Sequence, residues 1–174
     1  MNLTEKIEKA FASRPMPTQI LDPSACKHFD SDVEDALWFT GRDWHDITWM
    51  DWEDHSWGMT YLWGEVFAYY LPSVLILSLQ LPEEPLLVAD ELIRRLDISP
   101  DVENLSPILT AQFLGLGSEE YDAIKEWLLY MSNFSTYHLF GTSGAGDNLG
   151  RAFDTLDLLQ REAARLSSST RLLP

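Results

Sequence analysis

The sequence has very little cysteine and little basic charge. Cys26 is the only cysteine among 174 residues, so the chain has no internal disulfide and no zinc site built on cysteines. Twelve lysines and arginines stand against 28 aspartates and glutamates, which gives a net charge of −16. Such a charge repels nucleic-acid phosphates and anionic membrane surfaces, whereas it attracts basic proteins. We therefore expect no nucleic-acid or membrane partner, and we expect a basic protein as the partner if a macromolecule is bound.

Long uninterrupted apolar segments are also missing. The most apolar stretch, residues 66–81, is interrupted by Pro72 and by three polar residues. It falls short of the roughly 20 apolar residues that a membrane span needs. Residues 1–15 carry charges among their apolar positions, as an amphipathic helix does and a signal peptide does not. The simplest interpretation is a soluble, cytoplasmic protein.

The alternation of apolar and polar residues that is typical of strands is missing as well. Apolar residues instead recur at spacings of three and four, which predicts an all-α fold. We expect a single domain, residues 1–174, with about six to seven helices around a buried helix over Gly64–Gln80. Pro72 should kink or divide that helix. The other helices are predicted from caps and apolar spacing. Three precede the central helix: one capped by Thr4, one ending near Gly41, and a short one capped by Thr48 with Asp51. Four follow it: Pro85–Leu96, Pro107–Leu116, Ser118–Met131 and Asn148–Leu166, the last of which should be ended by the serines at 167–169.

Five motifs follow one another along the first 131 residues. They are Ile7–Phe11 in the form Ile-x-x-Ala-Phe, Pro15 with Pro17, Phe39-Thr40-Gly41 to Trp44, Phe67–Pro72 with its Tyr-Leu-Pro ending, and Ser118–Met131 with Glu119, Ile124 and Leu128. In this order they resemble an uncharacterised family of bacterial domains. The resemblance implies an all-helical core over residues 1–131 and brings no activity with it. Residues 141–168, a glycine loop and a C-terminal helix, then form an addition. Small acidic domains of this type are similar in size and charge to immunity proteins of bacterial toxin systems.

Recognised catalytic motifs are missing from the chain. It has no Gly-x-Ser-x-Gly elbow, and no histidine lies in a triad context. The loop Gly141–Gly146 has the glycines of a phosphate loop, but no lysine follows them. Cys26 and His28 lie two positions apart in a proline-flanked segment, where their side chains do not converge. The sequence therefore favours a protein that is not an enzyme and that needs no cofactor.

Residues 43–57 combine tryptophans with carboxylates to an unusual degree. Trp38, Trp49 and Trp63 border apolar segments and are expected in the core. Tryptophan is strongly enriched at binding hot spots, and carboxylates around it would select a basic partner. Burial of all the tryptophans in the core is the alternative interpretation. The predicted partner-binding residues, whose tryptophans are expected to be partly exposed, are Asp43, Trp44, Asp46, Asp51, Trp52, Glu53, Asp54 and Trp57.

Three functions are compatible with these features. The leading hypothesis is an immunity-type inhibitor that captures a basic protein toxin, with carboxylates standing in for phosphates if the toxin is a nuclease. The second is a metal-dependent hydrolase built on His45, His55 and Asp51, since imidazole and carboxylate are suitable ligands. Their spacing matches neither the metalloprotease nor the calcium-loop pattern, and no physiological metal is predicted. The third is a structural adaptor, a homodimer formed through the apolar face of Leu149–Leu166.

Overall fold

A computed structural model of the chain describes residues 1–21, 31–98, 100–134 and 148–170. Within these ranges it contains helices and no strand, which confirms the all-α prediction. Eight α-helices are present there, slightly more than the number predicted: α1 Leu3–Phe11, α2 Ser31–Trp38, α3 Trp49–Asp54, α4 Gly64–Gln80, α5 Leu87–Leu96, α6 Pro107–Phe113, α7 Ser118–Met131 and α8 Asn148–Thr170. Three short 3-10 helices join them: η1 Trp44–Asp46, η2 Ser56–Thr60 and η3 Val102–Asn104.

The central helix α4 has the predicted bounds, and it continues through Pro72 instead of being divided there. Two of its serines are buried and serve as acceptors for tryptophans from other helices. Ser73 Oγ accepts the indole N–H of Trp52 at 2.9 Å, and Ser78 Oγ accepts that of Trp127 at 2.8 Å. Both hydroxyls also donate to backbone carbonyls of α4 itself. The two buried hydroxyls of this helix are thus paired, as a low-dielectric interior requires.

Side-chain caps explain where several of the helices begin. Thr48 caps α3 and forms the predicted capping box with Asp51. The cap of α1 is Asn2 and not Thr4, because Asn2 Oδ1 accepts the Glu5 N–H at 2.8 Å. The other differences are small: α5 begins at Leu87 and α6 ends at Phe113.

The last helix is longer than predicted. The serines at 167–169 do not end α8, which continues to Thr170. The hydroxyls of Ser167 and Ser168 donate to carbonyls four residues earlier in the same helix, each at 2.9 Å. Serine in this arrangement bonds back onto the helix instead of capping it, so the chain stays helical.

The helices pack in a small number of neighbouring pairs. The α1 helix lies on α4 and α7, while α8 lies on α5 and α7. The α2 helix packs against η2, and α3 packs against α5, which brings the tryptophan-rich segment next to the start of α5. The division into a core over residues 1–131 and an addition over 141–168 stays a prediction. Among the described helices, none is both long and apolar enough to cross a membrane.

Candidate functional site

The tryptophans of the predicted site differ sharply in exposure. Trp57 is 58% exposed, as expected, but Trp44 is buried and Trp52 is completely buried. The expectation that Trp44 and Trp52 are partly exposed is therefore wrong. A charged neighbour in sequence does not place a helical residue at the surface, because adjacent side chains in a helix point in different directions. Of the predicted binding tryptophans, only Trp57 is available to a partner.

The tryptophans that were expected in the core are less buried than predicted. Trp63 is 43% exposed, which contradicts the prediction. It is the N-cap of α4 and has an extended backbone, so its side chain lies outside the helix that it precedes. Trp38 and Trp49 are half-buried and pack against the edge of the core.

Trp52 is a structural residue of the core. Its ring lies against Phe39, with centroids 4.5 Å apart, and its indole N–H donates to Ser73 Oγ. Phe39 in turn packs against the ring of Tyr70, whose hydroxyl lies 2.6 Å from the Phe39 carbonyl oxygen. These contacts join α2, α3 and α4 and leave no part of Trp52 for a partner.

Three of the predicted carboxylates hold the local fold together. Asp43 caps η1: its Oδ1 accepts the His45 backbone N–H at 3.0 Å and lies 2.6 Å from His45 Nδ1. The bond from the His45 backbone lowers the pKa of Asp43, and the bond from the His45 side chain adds to this. Asp51 Oδ2 accepts from Thr48 N at 2.8 Å within the α3 capping box. These two side chains stabilise the segment that carries Trp57.

Glu53 is the third of these carboxylates and links two helices. Its Oε1 accepts the backbone N–H of Leu87 at 3.2 Å. Leu87 is the first residue of α5, which has no side-chain cap of its own. Glu53 of α3 therefore satisfies one of the free N–H groups at the start of α5 and holds the two helices together.

Asp46 and Asp54 behave differently from the other carboxylates. Both are exposed. Neither carboxylate forms an ion pair or hydrogen bond with any of the residues that the structure describes. Of the predicted site carboxylates, these two are therefore the ones that can pair with a partner without losing a structural contact.

An exposed apolar surface surrounds Trp57. A cleft of about 30 Å³ is lined by Ser56, Trp57, Leu87 and Glu91. Leu87 is 47% exposed there, and Met50, one helical turn before Glu53, is exposed as well. We call the Trp57 surface the two residues that line this cleft, Trp57 and Leu87, together with the exposed α3 residues Met50 and Asp54 that precede Trp57 in the chain.

The sequence reasoning missed Met50 and Leu87. The signal for Leu87 was weak: in the apolar pair Leu86–Leu87 at the start of α5, either residue could be the one that faces the core. Leu86 is the buried member of this pair. Met50 gave no signal beyond its position among polar residues.

The charge around this surface is uniformly negative over a long segment. Between Arg42 and Arg94 the chain has no lysine or arginine, and it has ten carboxylates: Asp43, Asp46, Asp51, Glu53, Asp54, Glu65, Glu83, Glu84, Asp90 and Glu91. Arg94 and Arg95 both pair with Glu91, at the edge of the cleft. Residues 43–93 are therefore strongly negative along the sequence, and part of that charge is balanced at Glu91.

The three residues of the alternative metal site, His45, His55 and Asp51, do not form one cluster in the structure. His45 lies against Asp43, while His55 Nδ1 lies 3.1 Å from Asp35 Oδ1, and the Asp51 carboxylate is bonded to Thr48. Among the described residues, no group of three or more histidine, cysteine, aspartate or glutamate side chains is arranged to hold a metal ion. The proposed ligands thus form separate pairs, each with its own structural contact.

The apolar face of the last helix is covered within the chain itself. Leu149, Leu156 and Leu159 are buried, the last two completely, in contacts with α5 and α7. These contacts bury most of the face through which the dimer was predicted to form, and the dimer itself stays a prediction. Cys26, His28 and the loop Gly141–Gly146 lie outside the described residues.

Comparison of the chain with protein-family models, with curated proteins and with solved structures finds no match.

Proposed function

We propose that this protein is an acidic binding module of the immunity type, which captures a basic protein toxin through the Trp57 surface. The observation that carries the proposal is the exposure of Trp57, 58%, beside the exposed Leu87. An indole of this size left in water is unfavourable for an isolated chain and is typical of the centre of a binding interface. The surrounding charge then selects the partner.

The charge supports a basic partner in particular. The net charge of −16 accelerates encounter with a cationic protein, most strongly at low salt. Asp46 and Asp54 are exposed and can pair with lysine or arginine of the partner. If the partner is a nuclease, these carboxylates occupy positions that substrate phosphates would take, and the bound module blocks its active site.

Affinity capture from lysate of the native host tests this proposal. The wild type is compared with Trp57→Ala and Asp54→Lys at about 0.05 M and about 0.5 M salt, because screening weakens exposed ion pairs. We expect one basic protein to be retained by the wild type at low salt and to be lost with either variant. Removal of a hot-spot tryptophan should weaken binding by about 2 kcal/mol or more, roughly thirtyfold.

Matched controls lie on α7, away from the Trp57 surface. Leu129 is 57% exposed, so Leu129→Ala removes a comparable exposed apolar side chain. Asp122 is exposed on the same helix, so Asp122→Lys makes the same charge change as Asp54→Lys. Both controls should retain the partner. Asp51 and Glu53 are unsuitable for charge reversal because they cap α3 and α5.

Neutralisation in cells completes the test. If the captured protein is a toxin, its expression should arrest growth, and co-expression of the wild type but not of Trp57→Ala should relieve the arrest. Retention that is independent of Trp57, or a captured protein without toxicity, would contradict the proposed function.

A further inference from the structure

Two tryptophans near the Trp57 surface are covered by cationic or imidazole side chains of the chain itself. The guanidinium carbon of Arg42 lies 3.7 Å from the ring centroid of Trp38, and His55 stacks on the same indole with centroids 4.5 Å apart. The ring of His45 stacks on Trp44 at 3.6 Å. Tryptophan has the strongest attraction for cations among the aromatic side chains, because of the negative faces of its ring.

Trp57 has no such cover. Within the described part of the chain, neither an aromatic ring nor a cation lies over its indole, although it is the most exposed of the tryptophans there. Arg94 and Arg95 are both bonded to Glu91, which lines the cleft beside Trp57. Asp54, the last residue of α3 and three positions before Trp57, is exposed, and its carboxylate has no partner among the described residues.

The adjoining cleft is small and has an apolar wall. It has a volume of about 30 Å³ and is lined by Ser56, Trp57, Leu87 and Glu91. Leu87 is 47% exposed, so the methylene stem of a long side chain can lie against it.

We propose that Trp57 receives an arginine side chain of the partner protein. The guanidinium stacks on the exposed indole, one edge donates to the Asp54 carboxylate, and the methylene stem lies against Leu87. Arginine fits better than lysine because its planar, weakly hydrated cation stacks on aromatic faces and forms forked bonds to carboxylates. This inference rests on the proposed function, since it names the side chain with which the captured partner contacts the Trp57 surface.

Four short synthetic peptides test the inference directly. They share a flexible glycine and serine frame and differ only in the central residue, which is arginine, lysine, citrulline or norleucine. Citrulline keeps nearly the shape of arginine and lacks its charge. The readout is the indole N–H resonance of Trp57 in protein labelled with ¹⁵N-tryptophan, assigned with Trp57→Phe.

We expect the arginine peptide to move the Trp57 resonance with a millimolar dissociation constant. The lysine peptide should bind about two- to fivefold more weakly and the uncharged peptides more weakly still. Asp54→Asn should weaken arginine binding, and Asp122→Asn should not. Equal shifts from the arginine and citrulline peptides, or a Trp57 resonance that does not move, would overturn the inference.

The outcomes separate this inference from the proposed function. Capture of a basic protein through Trp57, together with equal binding of arginine and citrulline peptides, would overturn the arginine contact and leave the capture function in place. Arginine-selective binding without any captured protein would support the contact and overturn the capture function. Where a partner is in hand, Trp57→Leu should lose more affinity than Trp57→Phe, because leucine keeps apolar area but has no aromatic face.

Discussion

At the scale of single residues, Gly58 lies where the Trp57 segment approaches α2 most closely. A Cβ atom added there would meet Ala36 N and the Asp35 carbonyl carbon, each at 2.9 Å. Both neighbours are backbone atoms, which cannot move aside independently of the helix. Gly58 thus allows η2 to pack directly on α2, and this close contact fixes the position of the segment that carries the exposed Trp57.

Gly58→Ala should destabilise the fold for this reason. Overpacking against backbone typically costs about 1–3 kcal/mol. The measurement is the free energy of unfolding from urea titration, with Gly115→Ala as the control, since a Cβ at Gly115 would meet nothing within 4 Å. Equal stability of the two variants would show that α2 and η2 are not in this close contact.

At the scale of elements, the segment between α2 and α4 is held by short-range caps. Asp43 caps η1, Thr48 with Asp51 caps α3, and Glu53 satisfies the first N–H of α5. Most of the carboxylates that made this segment look like a binding surface therefore have structural partners. The caps matter more here than in a long helix, because the first turn is a large part of each short element.

Asp43 should make stability depend on pH in the acid range. Hydrogen bonds from His45 hold its folded pKa below the ordinary value of 3.8. Because the folded pKa is the lower one, the stabilising contribution is present above pH 4 and is lost as the pH falls through the folded value. We expect the stability advantage of the wild type over Asp43→Asn to shrink in urea titrations between about pH 4 and pH 2.

Asp46→Asn is the matched control for that titration. Asp46 is exposed, and its carboxylate has no hydrogen bond or ion pair within the described ranges, so its replacement should leave the acid dependence unchanged. An Asp43→Asn variant with the full acid dependence of the wild type would rule out Asp43 as the source.

At the scale of the whole molecule, the core extends from α1 to α8. The α1 helix packs on α4 and α7, and Arg14, which follows α1, forms a forked ion pair with the buried Glu120 of α7 at 2.5 and 2.6 Å. The α8 helix covers α5 and α7 with its apolar face. The C-terminal helix therefore contributes to the stability of the fold through its buried apolar residues.

Leu156→Ala should consequently act on folding and not on assembly. Loss of a completely buried leucine costs about 2–5 kcal/mol. Urea titration measures this cost, and light scattering at matched concentration should give the same molar mass for variant and wild type. The control is Leu166→Ala, on an exposed part of the same helix. A variant of normal stability but halved mass would instead support a dimer through α8.

The sequence by itself determined the helical class, the bounds of α4 and α7 and the capping box at Thr48. These features depend on neighbours within one or two turns, so apolar spacing and capping residues are sufficient to predict them. The negative charge is likewise a property of composition alone. Only the tertiary structure decided that Trp52 is buried, that Trp57 is exposed, and that Glu53 caps a helix 34 residues away. Each of these outcomes depends on which helices pack together, and that packing brings together residues far apart in the chain.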